Sequence, residues 1–164
     1  TEIYTLSLHD ALPIWHHRGV FWAWPGTTIG ERKADVWIVN DGIRQRHEDW
    51  IAKEADAEHA AIAAHNVWVY DDAPDAPQVR ETVAFTVHPA DGGARAIDFD
   101  LTFENLTQET IVIGGAETDN KGYGGFCFRP DATRKPLTFT APQGVRDEDK
   151  LELDAPWVEA VFAT

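Results

Sequence analysis

Apolar side chains recur at every second position in two neighbouring stretches of this 164-residue chain, residues 82–88 and 97–104. In the first, Val and Phe alternate with Thr, Ala and His; in the second, Ile, Phe and Leu alternate with Asp, Thr and Glu. Because neighbouring side chains of a strand point to opposite faces, each stretch predicts a β-strand with one apolar face. The Pro, Asp and Gly residues of 89–93 predict a turn that joins the two strands as a hairpin.

Other segments have the composition of strands. Residues 60–70 combine alanines with Ile, Val and Trp before a loop rich in Pro and Asp, which favours a strand, although the alanines leave a helix as an alternative. Shorter candidates bounded by Gly or Pro are residues 19–24, 36–39, 110–113, 125–129, 137–140 and 157–162. Many strands and few helices predict an all-β fold, an antiparallel β-sandwich.

Charge excludes two classes of partner. The chain carries 28 acidic and 14 basic side chains, a formal net charge of -14, which repels nucleic acids and anionic membrane surfaces. No apolar run reaches the roughly 20 residues that span a bilayer, so we expect a soluble protein. The single cysteine, Cys127, cannot form an internal disulfide and is expected to act as a small apolar side chain. Cofactor, compartment and oligomeric state are not indicated by these features.

Residues 1–14 resemble the translation of a sequencing adapter rather than a protein segment. We therefore expect them to be non-native and exclude them from predictions of the fold. The remaining residues, 15–164, are predicted to form a single β-sandwich domain that is incomplete at both ends.

The segment 15–24 is the first candidate for chemistry, because it combines two histidines, an arginine and three tryptophans. An imidazole titrates near neutral pH and suits proton transfer or a metal bond. His16 and His17 are adjacent, so on a strand they face opposite sides and cannot both hold one metal ion. The guanidinium of Arg18 fits a carboxylate or a vicinal diol, and stacking on an indole is the alternative.

The tryptophans are candidates for a flat apolar platform. Trp22 and Trp24 would share one face of a strand, and Trp37 and Trp68 are candidates to extend it. Sugar rings have apolar faces that lie well on indoles. Packing in the core is the alternative for each of these side chains.

The second candidate segment, residues 113–126, places acids and a lysine in a polar loop before a glycine-rich entry into an apolar run. Glu117, Asp119 and Lys121 are two positions apart, so an extended backbone would direct them to one side, and Tyr123 stands among glycines. The acids Asp98, Asp100 and Glu104 are interpreted as a solvated face of a sheet. No nucleophile elbow, zinc-type cysteine cluster, dinucleotide fingerprint or helical His-Glu-x-x-His motif is present.

A family resemblance follows from five motifs, which are residues 16–24, Asp35-x-Trp37 with Asp41-Gly42, residues 96–100, residues 113–115 and residues 121–126. Together, across Trp15 to Phe162, they resemble the bacterial family labelled PmoA-like or methane oxygenase PmoA. The resemblance implies a β-rich domain similar to the galactose mutarotase-like supersandwich, found in bacteria that degrade polysaccharides. Methane oxidation is excluded, because that subunit is an integral membrane protein. The chain departs from the family pattern at Pro13-Ile14-Trp15, where Asp-His-Pro often precedes the histidines.

The leading hypothesis is a carbohydrate-active domain in which a histidine and a carboxylate exchange protons with a sugar, as the mutarotase-like resemblance implies. The predicted catalytic residues are His16, His17, Glu117 and Asp119. The predicted substrate-binding residues are Arg18, Trp22, Trp24, Lys121 and Tyr123. The alternatives are a noncatalytic carbohydrate-binding module and a divalent-metal-binding β-sandwich protein, in which His16 or His17 joins acids of the second segment. In the first two cases the expected partner is a small carbohydrate.

Overall fold

The computed structural model describes residues 4–5, 19–38, 42–92, 94–116, 124–129, 137–146, 157 and 159–162. Every regular element in these residues is a β-strand, and all but one of the strand pairings given below are antiparallel, so the prediction of an all-β antiparallel fold is confirmed. The sheets fit a β-sandwich. Within the described part of the chain, no helix is long and apolar enough to cross a bilayer.

The strands are β1 (Tyr4–Thr5), β2 (Gly19–Ala23), β3 (Thr28–Ile29), β4 (Arg32–Lys33), β5 (Ile43–Ala55), β6 (Ala60–Tyr70), β7 (Val79–Val87), β8 (Ile97–Asn105), β9 (Ile111–Val112), β10 (Gly125–Arg129), β11 (Leu137–Ala141), β12 (Gly144–Arg146) and β13 (Glu159–Phe162). They belong to two compact units. Unit 1 comprises residues 1–27 and 112–164, and unit 2 comprises residues 28–111.

Unit 2 is built on a four-stranded antiparallel sheet in the order β5-β6-β7-β8. The hairpin of β7 and β8 pairs Val87 with Ile97 and continues to Val79 opposite Asn105, as the alternating sequence predicts. The alanine-rich segment 60–70 is a strand rather than a helix, because it pairs along its length with β5 on one side and β7 on the other.

The two faces of this sheet differ in chemistry. We call the face that carries His65, Val67 and Arg80 the His65 face, and the opposite face, with Trp68 and Glu81, the Trp68 face; residues paired across strands share a face. On the Trp68 face, Trp68 is fully buried and packs edge-on against Phe103 at 5.9 Å between ring centroids. Val67 and Val69, on the His65 face, are also fully buried. Burial of such large apolar surfaces is the main term that stabilises the sheet.

A short hairpin of β3 and β4 is attached to the end of β6 within unit 2. The Tyr70 hydroxyl donates a hydrogen bond to the Lys33 carbonyl at 3.2 Å, and the Arg32 guanidinium lies 3.5 Å from the centroid of the Tyr70 ring. Arg32 also contacts both carboxylate oxygens of Asp72 at 2.9 Å. The hairpin belongs to a small sheet in the order β4-β3-β9, supported by a 2.9 Å hydrogen bond from Gly30 N to the Thr110 carbonyl.

Unit 1 contains two three-stranded sheets, β1-β10-β2 and β12-β11-β13. In the first, β10 pairs antiparallel with β2 and parallel with β1. Cys127 of β10 is buried opposite Phe21 and forms no disulfide bond, in agreement with the apolar role expected from the sequence.

The short strands β3, β4 and β12 were not predicted, and two longer segments also differ from the sequence predictions. The longest strand, β5, was not predicted, because all but two of its side chains are exposed and its sequence lacks apolar alternation. Residues 36–39 were predicted as a strand, which is wrong for the described positions 36–38. The Asp35 carboxylate accepts hydrogen bonds from the backbone N–H of Trp37 at 2.8 Å and of Ile38 at 3.4 Å. These local bonds take the place of the hydrogen bonds that a strand would make with a neighbouring strand.

Candidate functional site

The described parts of the two sequence segments contact each other in unit 1. Strands β2 and β10 pair from Ala23 opposite Gly125 to Gly19 opposite Arg129. Beyond this ladder, Gly26 N donates to the Gly114 carbonyl at 2.8 Å. A Cβ on Gly26 would lie 2.4 Å from the Gly115 oxygen, so only glycine permits this approach of the two backbones.

Most of the predicted site residues cannot be placed by this geometry. His16, His17, Arg18, Glu117, Asp119, Lys121 and Tyr123 lie outside the described residues. Their assigned roles stay predictions.

The tryptophans have different surroundings. Trp22 is half-buried and parallel to Phe126, with ring centroids 6.4 Å apart and an interplanar angle of 1°. Its indole N–H is buried and has no hydrogen-bond partner among the described residues. Trp24 and Trp37 are half-buried. Trp68 is fully buried in unit 2, so its assignment to an exposed platform is wrong and the packing alternative holds for it.

A buried carboxylate, Glu81, organises the Trp68 face. It is 1% exposed, and its oxygens accept hydrogen bonds from Gln45 Nε2 and Trp68 Nε1 at 3.0 Å and from Asn66 Nδ2 at 3.1 Å. These donors tie together strands β5, β6 and β7. The sequence contains a signal for this residue, since Glu81 occupies an inward position of an otherwise apolar alternation, but Glu81 was not among the predicted site residues.

Among the described residues, one group of acidic and histidine side chains that could hold a metal ion lies on the His65 face. Asp49 Oδ1 is 2.8 Å from His65 Nδ1. One ligand atom from each of Glu48, Asp49 and His65 lies within 4.8 Å of the other two. The carboxylates are exposed and the His65 side chain is 32% exposed, so the group is open to solutes. We call these three residues the His65 cluster.

A β-bulge assembles the His65 cluster. His47 pairs with Asn66 and Asp49 pairs with His65, so Glu48 is an extra residue in β5. In a regular strand Glu48 and Asp49 would face opposite sides, but a bulge re-aims one side chain and places both acids on the side of His65. The sequence shows the adjacent acids, but not the bulge or the register that joins them to a histidine of another strand.

Arg80 borders the His65 cluster. Its Nε atom lies 3.3 Å from Glu48 Oε2, and one terminal nitrogen lies 3.4 Å from Glu104 Oε2 on β8. Two carboxylates, from Glu48 and Glu104, thus contact one guanidinium, and the Asp49 carboxylate of the same cluster lies close to Glu48. With a neutral imidazole the group keeps an excess of negative charge, which favours cations and hydrogen-bond donors.

The Asp49–His65 contact determines which imidazole nitrogen is available. An ionised carboxylate only accepts hydrogen bonds, so Asp49 holds the proton of the neutral imidazole on Nδ1. The lone pair of Nε2 is then available as a base.

Other histidines of unit 2 also pair with aspartates. His88 Nε2 lies 2.7 Å from Asp98 Oδ2, and His59 Nδ1 lies 3.2 Å from Asp56 Oδ1. Within the part of the chain that the structure describes, only the His65 pair is joined by a second carboxylate in a group that could hold a metal ion. A histidine–aspartate pair alone therefore does not mark a site here, and Glu48 is the distinguishing residue.

Comparison with known proteins gives one family. No curated protein and no solved structure matches the chain significantly. Nothing in these comparisons supports the PmoA-like or mutarotase-like assignment expected from the motifs. The sequence pattern that defines one family of unknown function matches residues 7–164, which is nearly the whole chain. The chain therefore belongs to the family of unknown function DUF6807.

Proposed function

We propose that unit 2 binds a divalent metal ion through Glu48, Asp49 and His65. The observation that carries this proposal is the convergence of three ligand atoms within 4.8 Å of one another, from adjacent strands. Two ligands of one ion, each bonded at about 2.1 Å, are at most about 4.2 Å apart. The ion would take the place of the proton between Asp49 Oδ1 and His65 Nδ1, so that Nδ1 becomes the ligand and the proton of the imidazole lies on Nε2. Small rotations of exposed side chains would close the remaining difference.

The donor set favours a first-row transition ion or zinc. Imidazole nitrogen with carboxylate oxygen suits Zn²⁺ or Mn²⁺, whereas Ca²⁺ prefers oxygen ligands alone. Three protein ligands leave a coordination position for water or a ligand oxygen, which is the arrangement of catalytic rather than structural zinc sites. An ion held there would polarise that oxygen and lower the pKa of a bound water.

Calorimetric titration of the tag-free chain with Zn²⁺ and with Mn²⁺ tests this proposal. We expect one ion per chain, and we expect H65A and D49N each to lower the affinity by on the order of tenfold or more, since each removes a ligand or the group that orients it. The matched control is H88A, which disrupts a histidine–aspartate pair without an adjoining acid. Unchanged affinity in H65A, or an equal loss in H88A, would refute the assignment.

A second function, acid–base chemistry on a carbohydrate hydroxyl, is favoured by the 2.8 Å Asp49–His65 contact together with the neighbouring Glu48 carboxylate, which distinguishes this pair from the other histidine–aspartate pairs. The aspartate orients the imidazole, so Nε2 can take a proton from a hydroxyl group and return it. Carbohydrates are the ligand class that the sequence motifs favour. This chemistry now rests on His65 and Asp49 in place of the residues chosen from sequence.

Anomeric exchange of free monosaccharides, followed by NMR with and without a chelator, tests the second function. Acceleration that survives the chelator and disappears in H65A would support acid–base catalysis without a metal. Acceleration that the chelator abolishes would assign the chemistry to the ion. Binding without exchange would indicate a noncatalytic carbohydrate-binding module, and no response to any sugar would contradict a carbohydrate function.

A further inference from the structure

We infer that Arg80 competes with the metal ion for the carboxylate of Glu48 in the His65 cluster, and this inference rests on the proposed metal site. The guanidinium holds Glu48 before an ion binds and is transferred to Glu104 when the ion arrives. Arg80 would thereby set the affinity of the site without contacting the ion.

The position of Arg80 between two carboxylates supports this exchange. Its separations from Glu48 and Glu104 are 3.3 and 3.4 Å, whereas charge-assisted hydrogen bonds are about 2.7–2.9 Å long. Neither carboxylate therefore holds the guanidinium in a short bond. The Arg80 side chain is 36% exposed, which leaves it room to move.

The ladder provides the second position for the guanidinium. Arg80 of β7 lies directly opposite Glu104 of β8, so their side chains share a face at the spacing of a cross-strand pair. Glu104 is not a member of the His65 cluster and would not be bonded to an ion held there. It can hold Arg80 alone.

Electrostatics determine the direction of the exchange. An ion bonded to Glu48 would stand within a few ångströms of a guanidinium that stayed in place, and their repulsion would weaken ion binding. The carboxylate of Glu48 cannot bind the metal ion and the Arg80 guanidinium equally well at the same time, because both would contact the same oxygen atoms. Release of Arg80 towards Glu104 is therefore the step that opens Glu48 to the ion.

Removal of the Arg80 charge is expected to tighten ion binding. In R80Q the affinity for Mn²⁺ or Zn²⁺ should rise by on the order of threefold to tenfold at low ionic strength, and the gain should shrink at high salt. R80K keeps the charge and should bind as the wild type does. R46Q is the matched control for net charge, since Arg46 lies on the same face and donates to the Pro74 carbonyl rather than to the cluster.

A double-mutant cycle tests the role of Glu104. E104Q should weaken ion binding in the wild-type background, because Arg80 then stays on Glu48, and should have a smaller effect in R80Q. Thermal melts of each variant verify that it is folded. If the wild type and R80Q bind with equal affinity, or if R46Q gains as much as R80Q, the role of Arg80 is overturned while the metal site stands. If neither the wild type nor R80Q binds an ion, both proposals are overturned.

Discussion

At the scale of single residues, Glu81 shows how a carboxylate can be accommodated inside a β-sheet. Three neutral donors, from Gln45, Asn66 and Trp68, satisfy its oxygens, and no cation among the described residues accompanies it there. A buried carboxylate is tolerated only when such bonds replace water. Because the donors come from two neighbouring strands, the network also fixes the relative positions of β5, β6 and β7.

The substitution E81Q tests this network. A glutamine amide presents a donor where the carboxylate accepts, so at least one of the three bonds would become a contact between two donors. We expect a loss of about 1–3 kcal/mol in the free energy of unfolding, measured by urea denaturation. E54Q, at an exposed position of β5, is the control and should change stability little. Equal stability of the two variants would contradict the network.

Because of the phenol of Tyr70, we expect the stability of the folded state to depend on pH in the alkaline range. Burial raises the pKa of Tyr70 above the ordinary value of 10.0, and the nearby Arg32 charge opposes this shift only in part. The folded state therefore holds the proton more tightly than the unfolded chain does. This contribution to stability is complete below pH 10.0 and is lost as the pH rises through the raised pKa.

Ultraviolet titration of the wild type against Y70F isolates this phenol from Tyr4 and Tyr123. The difference curve should have a midpoint above 10.0, and the alkaline loss of stability should be smaller in Y70F. A midpoint at or below 10.0 would be inconsistent with burial as the dominant cause.

At the scale of elements, alternation predicted the two strands of the hairpin, β7 and β8, whose apolar residues lie at every second position. Strand β6 was favoured by its composition alone, because four consecutive residues, Val67 to Tyr70, are buried and its sequence has no alternation. Strand β5 is an edge strand with exposed, charged side chains and two bulges, so its apolar residues do not recur at every second position. Its partner β6 imposes the extended structure, which single-sequence reasoning could not predict.

We expect acid to destabilise the turn between β5 and β6. Asp56 accepts backbone hydrogen bonds from His59 at 2.9 Å and Glu58 at 2.8 Å, and these bonds lower its pKa below the ordinary value of 3.8. The stabilisation is present above pH 3.8 and is lost as the pH falls through the lowered pKa.

The substitution D56A should speed hydrogen exchange of the β5 and β6 amides next to the turn and remove the acid-dependent part of that exchange. D56N is the control, because its carbonyl oxygen can accept the same bonds without titrating. The same exchange rates in D56A and the wild type would show that the carboxylate does not hold the turn.

Glycine contacts predict which substitution damages unit 1. G26A would place a methyl group 2.4 Å from the Gly115 carbonyl oxygen, so two backbones must separate; we expect about 1–3 kcal/mol of destabilisation. The control G92A has a positive φ but no atom within 4 Å of the new Cβ, and it should cost about 1 kcal/mol from backbone strain alone. Chemical denaturation measures both, and a smaller loss in G26A than in G92A would contradict the close approach.

At the scale of the whole molecule, the sequence predicted the class of fold and one chemical feature of the site, a histidine combined with a carboxylate. It did not predict the residues of the cluster that the structure shows. His65 stands in a strand of small and apolar residues, and its acids come from a strand with no recognisable pattern. Only the pairing of β5 with β6, including the bulge at Glu48, brings them together. Register of this kind depends on long-range contacts and cannot be derived from local composition.

The proposed function requires the His65 cluster of unit 2 to hold a divalent ion. Crystals of the chain grown with Mn²⁺ or Zn²⁺, with data collected at the absorption edge of that metal, would locate the ion directly by anomalous scattering. We expect one strong peak bonded to Glu48, Asp49 and His65, with the Arg80 guanidinium closer to Glu104 than to Glu48. A peak at His16 or His17 with none at His65, or the absence of any peak at saturating ion, would contradict it.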